Sequence, residues 1–411
     1  MAVSESLLRA LPYHEALAGY LREEEPETWA WFDSAQAEAE QAESLRLELL
    51  KQTYRLEPTA HPALFAALAD AKAKLALDIP ITIYQSQQRQ ELNASLFFLP
   101  GEAHIVLQGP VLQLLEPAEL RAMLGHELAH YRLWTEPDRR FLIADRIAHA
   151  FAGDPRAEAS HLESARLFRL YTEIFADRGA LLVTNDPGPV ISCLVKIQTG
   201  LAHVDAASYV LQAEEVLAKS KVRTDELTHP EVFIRARAIT LFAQNVTGVD
   251  AEISRMIEGD VSLDKLDLLG QTRMTQLTLR WLQLFLRPIW FRTDAVRGQV
   301  TLLFPEFDFA PEGQADEDLI ATLREASVSV RDYFCYLLLD FAAVDPELEE
   351  EPLRAAFVLA SRLGWDERLE SLAVKELKLK KREALRLRAE SRESVSADSQ
   401  EPKESMEGDD E

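Results

Sequence analysis

His126, Glu127, Leu128, Ala129 and His130 form an HExxH pattern. On a helix, residues four apart lie one turn above each other, so both imidazoles project from one face and can ligate a single ion. Glu127 sits beside them, placed to take a proton from water at that ion. Zinc sites of this kind use nitrogen and oxygen donors and keep one position open for water or substrate. The pattern is expected by chance roughly 0.02 times in a chain with nine histidines among 411 residues. The plain alternative is a polar helix face with two satisfied histidines.

Two histidines do not complete a catalytic zinc site; a third protein ligand is needed. A third histidine just after the motif is absent, because Tyr131, Arg132, Leu133 and Trp134 follow and the next histidine is His149. A carboxylate on a later helix is the other option, and Glu173 offers one. Glu173 and Asp177 are four apart and face the same way. Glu173 would complete a two-histidine, one-carboxylate set, while Asp177 would accept the other ring N–H of a ligand histidine and fix its tautomer. The competing reading is an exposed acidic pair, common in a chain with 69 acidic residues. Against it, Ile174, Phe175 and Ala176 make the setting apolar, and buried carboxylates need partners. His149 and His161 read as helix-face histidines.

The elements that must position these residues follow from periodicity and punctuation. Pro117 stands at the first position of a helix over 117–134, where its missing amide proton costs little. Before it the pattern is strand-like over Ile81–Gln85, Ser95–Leu99 and His104–Gln108, with a Pro100–Gly101 turn that predicts an antiparallel pair. Residues 1–80 read as helical, chiefly over 34–54 and 61–77. After Pro137 the chain is predicted helical over 138–151, 156–183, 188–202, 205–219 and 230–244, mixed to 312, and strongly helical over 318–387. The fold class is therefore mainly α with a small β-sheet (α+β).

A chain of 411 residues allows two to three domains. Its net charge of -25 repels phosphate, which argues against nucleic acid or an anionic membrane surface as partner. The final 22 residues hold nine acidic and two basic side chains and almost nothing apolar, the composition of a disordered acidic tail. Cys193 and Cys335 lie far apart in apolar surroundings and read as buried free thiols in a reducing compartment. The N-terminus has no secretory pattern, and no run of about 18 apolar residues is present. A soluble cytoplasmic protein with no transmembrane segment is expected.

From about Leu75 to Leu241 the sequence resembles the HtpX-like and CaaX-prenyl-endopeptidase superfamily of zinc metallopeptidases. Asn93, Ala94, then Leu99, Pro100, Gly101, then Ile105 to Leu107 are similar to its NA(F)xLPGG strand region. Glu119, Leu120 and Gly125 to His130 are similar to its EL...GHELAH helix, and Glu173 to Asp177 to its ExxAD motif. Thr228, His229 and Pro230, with Arg235 six residues after the histidine, resemble its THP motif. The resemblance implies a zincin-like core with one zinc per chain, held by His126, His130 and Glu173 and supported by Asp177. It also implies that His229 and Arg235 lie near the active site, where either would stabilise the oxyanion. An ordinary helix start at Thr228–Pro230 is compatible with that role. Membrane-embedded members have transmembrane helices that this chain lacks, so their prenylated or membrane-protein substrates are not carried over. Glu102 stands where the family has a second glycine. The C-terminal helices bear a slighter resemblance to a TerB-like domain, with an acidic run from Asp345 to Glu351 and Pro346 in place of the usual glycine.

The expected organisation is an N-terminal helical region (1–77), a metallopeptidase core (78–245), a helical connection (246–315), a C-terminal bundle (316–389) and an acidic tail (390–411). The expected activity is that of a soluble zinc endopeptidase with Glu127 as general base. Its peptide or protein substrate would add as a strand along the edge formed by His104, Ile105, Val106 and Leu107, near Asn93 and Ala94. The rival reading is a latent or non-catalytic scaffold that binds protein partners through its C-terminal helices or acidic tail. A non-peptidase hydrolase with the same metal is a third, disfavoured by a strand edge suited to an extended peptide.

Overall fold

The computed structural model describes residues 8–34, 38–87, 92–219, 224, 228–311 and 316–398. It divides into two compact units, one up to Asp260 with Asp267–Leu269, the other Val261–Leu266 with the chain from Gly270 onward. Thus the N-terminal helices belong to the same unit as the strands and the HExxH helix, and residues 270–311 belong with the C-terminal helices.

The first unit begins with α1 (Pro12–Glu24), α2 (Pro26–Asp33) and α3 (Glu38–Gln52). The helix expected over 34–54 stops at Gln52, and β1 (Thr53–Arg55) follows. A strand of three residues is too short to show alternation, and only its pairing reveals it. After α4 (Pro62–Lys74) come β2 (Ile81–Ser86), β3 (Asn93–Leu99) and β4 (Glu102–Gln108). The sheet order is β1-β2-β4-β3. β1 is antiparallel to β2, β2 is parallel to β4, and β3 returns antiparallel on β4 with Leu99 opposite Glu102. Pro100 and Gly101 make the turn; Gly101 has φ +80°, the conformation that the third position of a type II turn demands. Glu102 already lies in β4, so the missing second glycine has no strained position to fill.

This order corrects the expected docking edge. β4 is flanked by β2 and β3, so its backbone groups are already paired and no peptide can add along His104, Ile105, Val106 and Leu107. All four are buried; Ile105 and Leu107 face the main core, and Val106 packs with Leu49 and Tyr84 beneath α3. The outer strand next to β4 is β3, which carries Asn93 and Ala94.

The rest of the unit is helical: α5 (Val111–Leu114), α6 (Pro117–Trp134), α7 (Arg140–Gly153), α8 (Ala159–Thr184), α9 (Pro187–Thr199), α10 (Ala206–Lys219), α11 (Val232–Ala243) and α12 (Val249–Glu258). α6 starts at Pro117, with the Glu119 carboxylate accepting the Glu116 N–H at 2.8 Å. Glu119 also takes the Lys196 Nζ at 2.8 Å and the Ser192 hydroxyl, so a buried ion pair ties the start of α6 to α9. α6 and α8 bury Leu124, Leu128, Leu133, Phe168, Ile174 and Phe175 in one core. α1 closes this core from another side, where Tyr13 stacks on Tyr171 with ring centroids 4.9 Å apart.

The second unit contains α13 (Leu268–Phe285, from Gly270), α14 (Asp294–Leu303), α15 (Glu317–Arg324), α16 (Val328–Ala342), α17 (Glu351–Leu363), α18 (Asp366–Glu376) and α19 (Lys381–Asp398). Its separate core is built on Trp281, Phe334, Phe341 and Phe357. The acidic segment expected to be disordered from Glu390 begins inside α19. Ala384, Leu387 and Ser391 form a buried stripe, Glu390 accepts from Arg354, and Arg388 and Arg392 reach Asp366. Helical spacing and these ion pairs order a stretch whose composition alone suggests a coil. Residues 399–411 lie outside the described residues. Among the described residues, no helix is long and apolar enough to cross a membrane.

Candidate active site

α6 and α8 cross unusually closely, and glycine is the reason. A Cβ on Gly125 would sit 2.9 Å from the Val183 Cβ, and one on Gly179 would collide with the Ala129 side chain. These contacts pair residue 125 with 183 and 129 with 179, so the two helices run antiparallel. That close antiparallel approach brings Glu173 and Asp177 of α8 against His126 and His130 of α6.

The ligand-bearing atoms of His126, His130 and Glu173 all lie within 4.8 Å of one another. His126 Nε2 is 3.3 Å from His130 Nε2 and 3.4 Å from Glu173 Oε2, and His130 Nε2 is 3.7 Å from Glu173 Oε1. Donors about 2.0–2.2 Å from a tetrahedral zinc stand roughly 3.3–3.6 Å apart. The set fits that ion on its own chemistry. Two imidazole nitrogens face one carboxylate, and Glu173 Oε2 is buried without a hydrogen-bond partner among the described residues. His126, His130 and Glu173 are thus the residues that would hold a zinc ion.

Behind the ligands, His126 Nδ1 donates to Asp177 Oδ1 at 3.0 Å, which turns its Nε2 lone pair toward the ligand cluster. Arg235, from α11, grips Asp177 with both forks, Nε to Oδ2 and Nη2 to Oδ1, each at 2.7 Å. Its guanidinium is buried and 3.6 Å from Glu173 Oε2. Burial works against both charged forms here. His126 is nevertheless pushed up to about 10 by the Asp177 and Glu173 carboxylates, and Glu173 is held well below the usual carboxylate range by His126. In His130 burial prevails and lowers it to about 4. The ligand cluster thus favours positive charge at its centre, where the ion's charge belongs.

Glu127 is buried beside the ligands, and desolvation pushes its carboxyl up to about 7, against the pull of the His126 and Arg235 charges and of a hydrogen bond from the Leu96 backbone. A group poised there can both take and return a proton near neutral pH.

A cleft of about 970 Å³ surrounds these groups. Asn93 and Ala94 of β3 line it, as do His126, Glu127, His130, Glu173, Asp177, His229 and Arg235. His104, Ile105, Val106 and Leu107 do not. His229 stands at the mouth, its side chain half exposed, with Nε2 3.6 Å from Glu173 Oε2 and Nδ1 3.0 Å from the Thr228 hydroxyl. Arg235, by contrast, lies at the back with two nitrogens on Asp177, so it positions the ligand assembly. Among the described residues, none that lines the cleft comes from α1, α2 or α3.

Several participants were not singled out from the sequence. The glycine of the crossing at residue 179 left no periodic trace, although a glycine inside a helix is itself a signal of close approach. Trp134 stacks on His130 with centroids 5.6 Å apart. Asp145 and Arg169 also line the cleft, with His149 between them.

Comparison with known proteins gives a concordant result. Residues 62–242 match the profile of Peptidase family M48. The chain is 28% identical over 172 residues to the plastoglobule-localized metallopeptidase 48, chloroplastic, of Arabidopsis thaliana, an alignment covering 38% of this chain and 49% of that protein. It is 28% identical over 133 residues to a protease HtpX homolog of Moorella thermoacetica, covering 26% of this chain and 44% of that protein. The chain therefore spans just under half the length of each of these relatives. No solved structure matches.

Proposed function

We propose that the chain, whose residues 62–242 match the profile of Peptidase family M48, is an endopeptidase that cleaves peptide bonds in protein substrates at the His126, His130 and Glu173 centre. One observation carries the reading: three zinc-ligand atoms converge within 4.8 Å, with the Glu127 carboxyl on the adjoining position of the same helix. Zinc bound there supplies a Lewis acid that polarises the scissile carbonyl and acidifies water.

The chain's own residues do the rest. An extended peptide adds along the outer side of β3, where Asn93 to Leu96 border the cleft, so that main-chain pairing presents a peptide bond to the centre. Glu127 accepts the proton of the attacking water as the new C–O bond forms, then passes it to the amide nitrogen as the C–N bond breaks. Asp177 keeps His126 in its Nδ1–H tautomer, and Arg235 keeps Asp177 in place. His229, half exposed at the mouth, donates from its ring to the oxygen that gains charge.

Purified protein with Glu127→Gln should retain about one zinc by metal analysis while its cleavage of an unfolded protein such as casein falls on the order of 100-fold or more. His126→Ala should lose both zinc and cleavage. A Glu127→Gln variant that cleaves as fast as the unaltered chain would overturn the proposal.

A further inference from the structure

The cleft is polar at one end and apolar at the other. Trp134 lies four residues beyond His130, and Arg169 lies four residues before Glu173. Because α6 and α8 run antiparallel, both belong to the same end of the cleft. The opposite end is lined by Ala122, Met123, Ala180, Val190 and Cys193.

At the polar end, a relay of side chains holds a guanidinium. His149 Nδ1 donates to the Asp145 backbone oxygen at 2.8 Å, and the Asp145 carboxylate is 3.2 Å from the same nitrogen. That leaves His149 Nε2 to accept from Arg169 Nη2. Among the described residues no carboxylate pairs with Arg169. The cleft's other guanidinium, Arg235, is taken by Asp177. Trp134 Nε1 is likewise buried with no partner among the described residues. Two donors without an acid to match them therefore border the cleft of a chain whose net charge is -25. A planar guanidinium fork matches a carboxylate, which offers two acceptor oxygens in one plane.

We propose that Arg169, oriented by His149 and Asp145, is a specificity residue that binds a carboxylate of the peptide substrate about two residues from the scissile bond. The spacing follows because four helical residues separate Arg169 from the ligand Glu173, about 6 Å of rise, against roughly 3.3 Å per residue in an extended peptide. The inference rests on peptide hydrolysis at this site. The carboxylate is either an Asp or Glu side chain or the substrate's C-terminal group.

The test uses the full-length zinc-loaded chain on a library of peptides from a digested proteome, with cleavage sites read by mass spectrometry. If a side chain is bound, Asp and Glu should be enriched about tenfold at one fixed position near the cut. If the terminus is bound, cuts should fall at one short distance from the peptide C-termini. Either bias should vanish in Arg169→Gln, persist in part in Arg169→Lys, and turn toward Lys and Arg in Arg169→Glu, with zinc content as the folding control. In a second arm, Glu127→Gln and the Glu127→Gln, Arg169→Gln double variant are compared for the library peptides they retain, and only the former should hold carboxylate-bearing ones preferentially. Cleavage without the bias, or a bias unchanged in zinc-replete Arg169→Gln, would overturn the proposal. Arg169-dependent retention without any cleavage by the unaltered chain would sink peptide hydrolysis and leave the recognition standing; neither retention nor cleavage would sink both.

Discussion

Asp177 is the residue on which the centre's geometry depends. It is buried, receives the His126 ring N–H and is clamped by Arg235 through two nitrogens. A carboxylate removed from water needs such partners, and here the partners are a ligand and the residue that orients it. A second buried histidine shows the reverse arrangement. His14 accepts the Leu11 backbone N–H on Nδ1 and, with Nε2 protonated, donates to the Thr172 hydroxyl. Burial lowers it to about 3, helped by the Arg178 charge, so it stays neutral in the folded chain. Above an ordinary value near 6.5 both states are neutral and stability is full. As the pH falls below that, the unfolded chain gains a proton that the folded chain refuses, and stability should fall by up to about 1.4 kcal/mol per pH unit from this residue. Chemical denaturation between pH 7.5 and 5 should therefore show a flatter pH dependence for His14→Gln than for the unaltered chain, at lower absolute stability. Equal slopes would remove His14 from the acid response.

At the scale of elements, the site is a crossing of two helices braced at one end by a strand. α6 supplies two ligands and the base, and α8 supplies the third ligand and Asp177. Their separation is set by Gly125 and Gly179. Gly179→Ala would push a methyl into Ala129 across the crossing, where both backbones are fixed. Overpacking of this kind costs about 1–3 kcal/mol. Because Asp177 and Glu173 lie two and six residues before it on the same helix, the variant should also bind zinc more weakly, read by competition with a chromophoric chelator. A variant with lowered stability and unchanged zinc affinity would show that the crossing holds the fold without setting the ligand geometry.

For the whole molecule, two units with separate buried cores, one around α6 and α8 and the other around Trp281 and Phe334, imply separate unfolding transitions. Among the described residues, the three that would hold zinc all lie in the first. Free zinc at a thousandfold excess over its dissociation constant stabilises the binding unit by about 4 kcal/mol. Chelation should lower one calorimetric transition and leave the other in place, and a shift of both would show that the units unfold together. Much of the centre was legible in the chain, because HExxH, the Glu173–Asp177 spacing and the Pro117 start are local. A helix places residues three and four apart on one face whatever surrounds it. The Pro100–Gly101 hairpin was legible for the same reason. What tertiary structure decided was everything that depends on partners distant in sequence. The parallel pairing of β2 with β4 buried the strand expected to dock a peptide and left β3 at the edge. Ion pairs and a buried stripe carried α19 into a stretch whose composition reads as coil. Arg235 went behind Asp177, while Arg169 came to line the cleft, because side-chain roles follow from which helices meet and no spacing along one helix encodes that meeting.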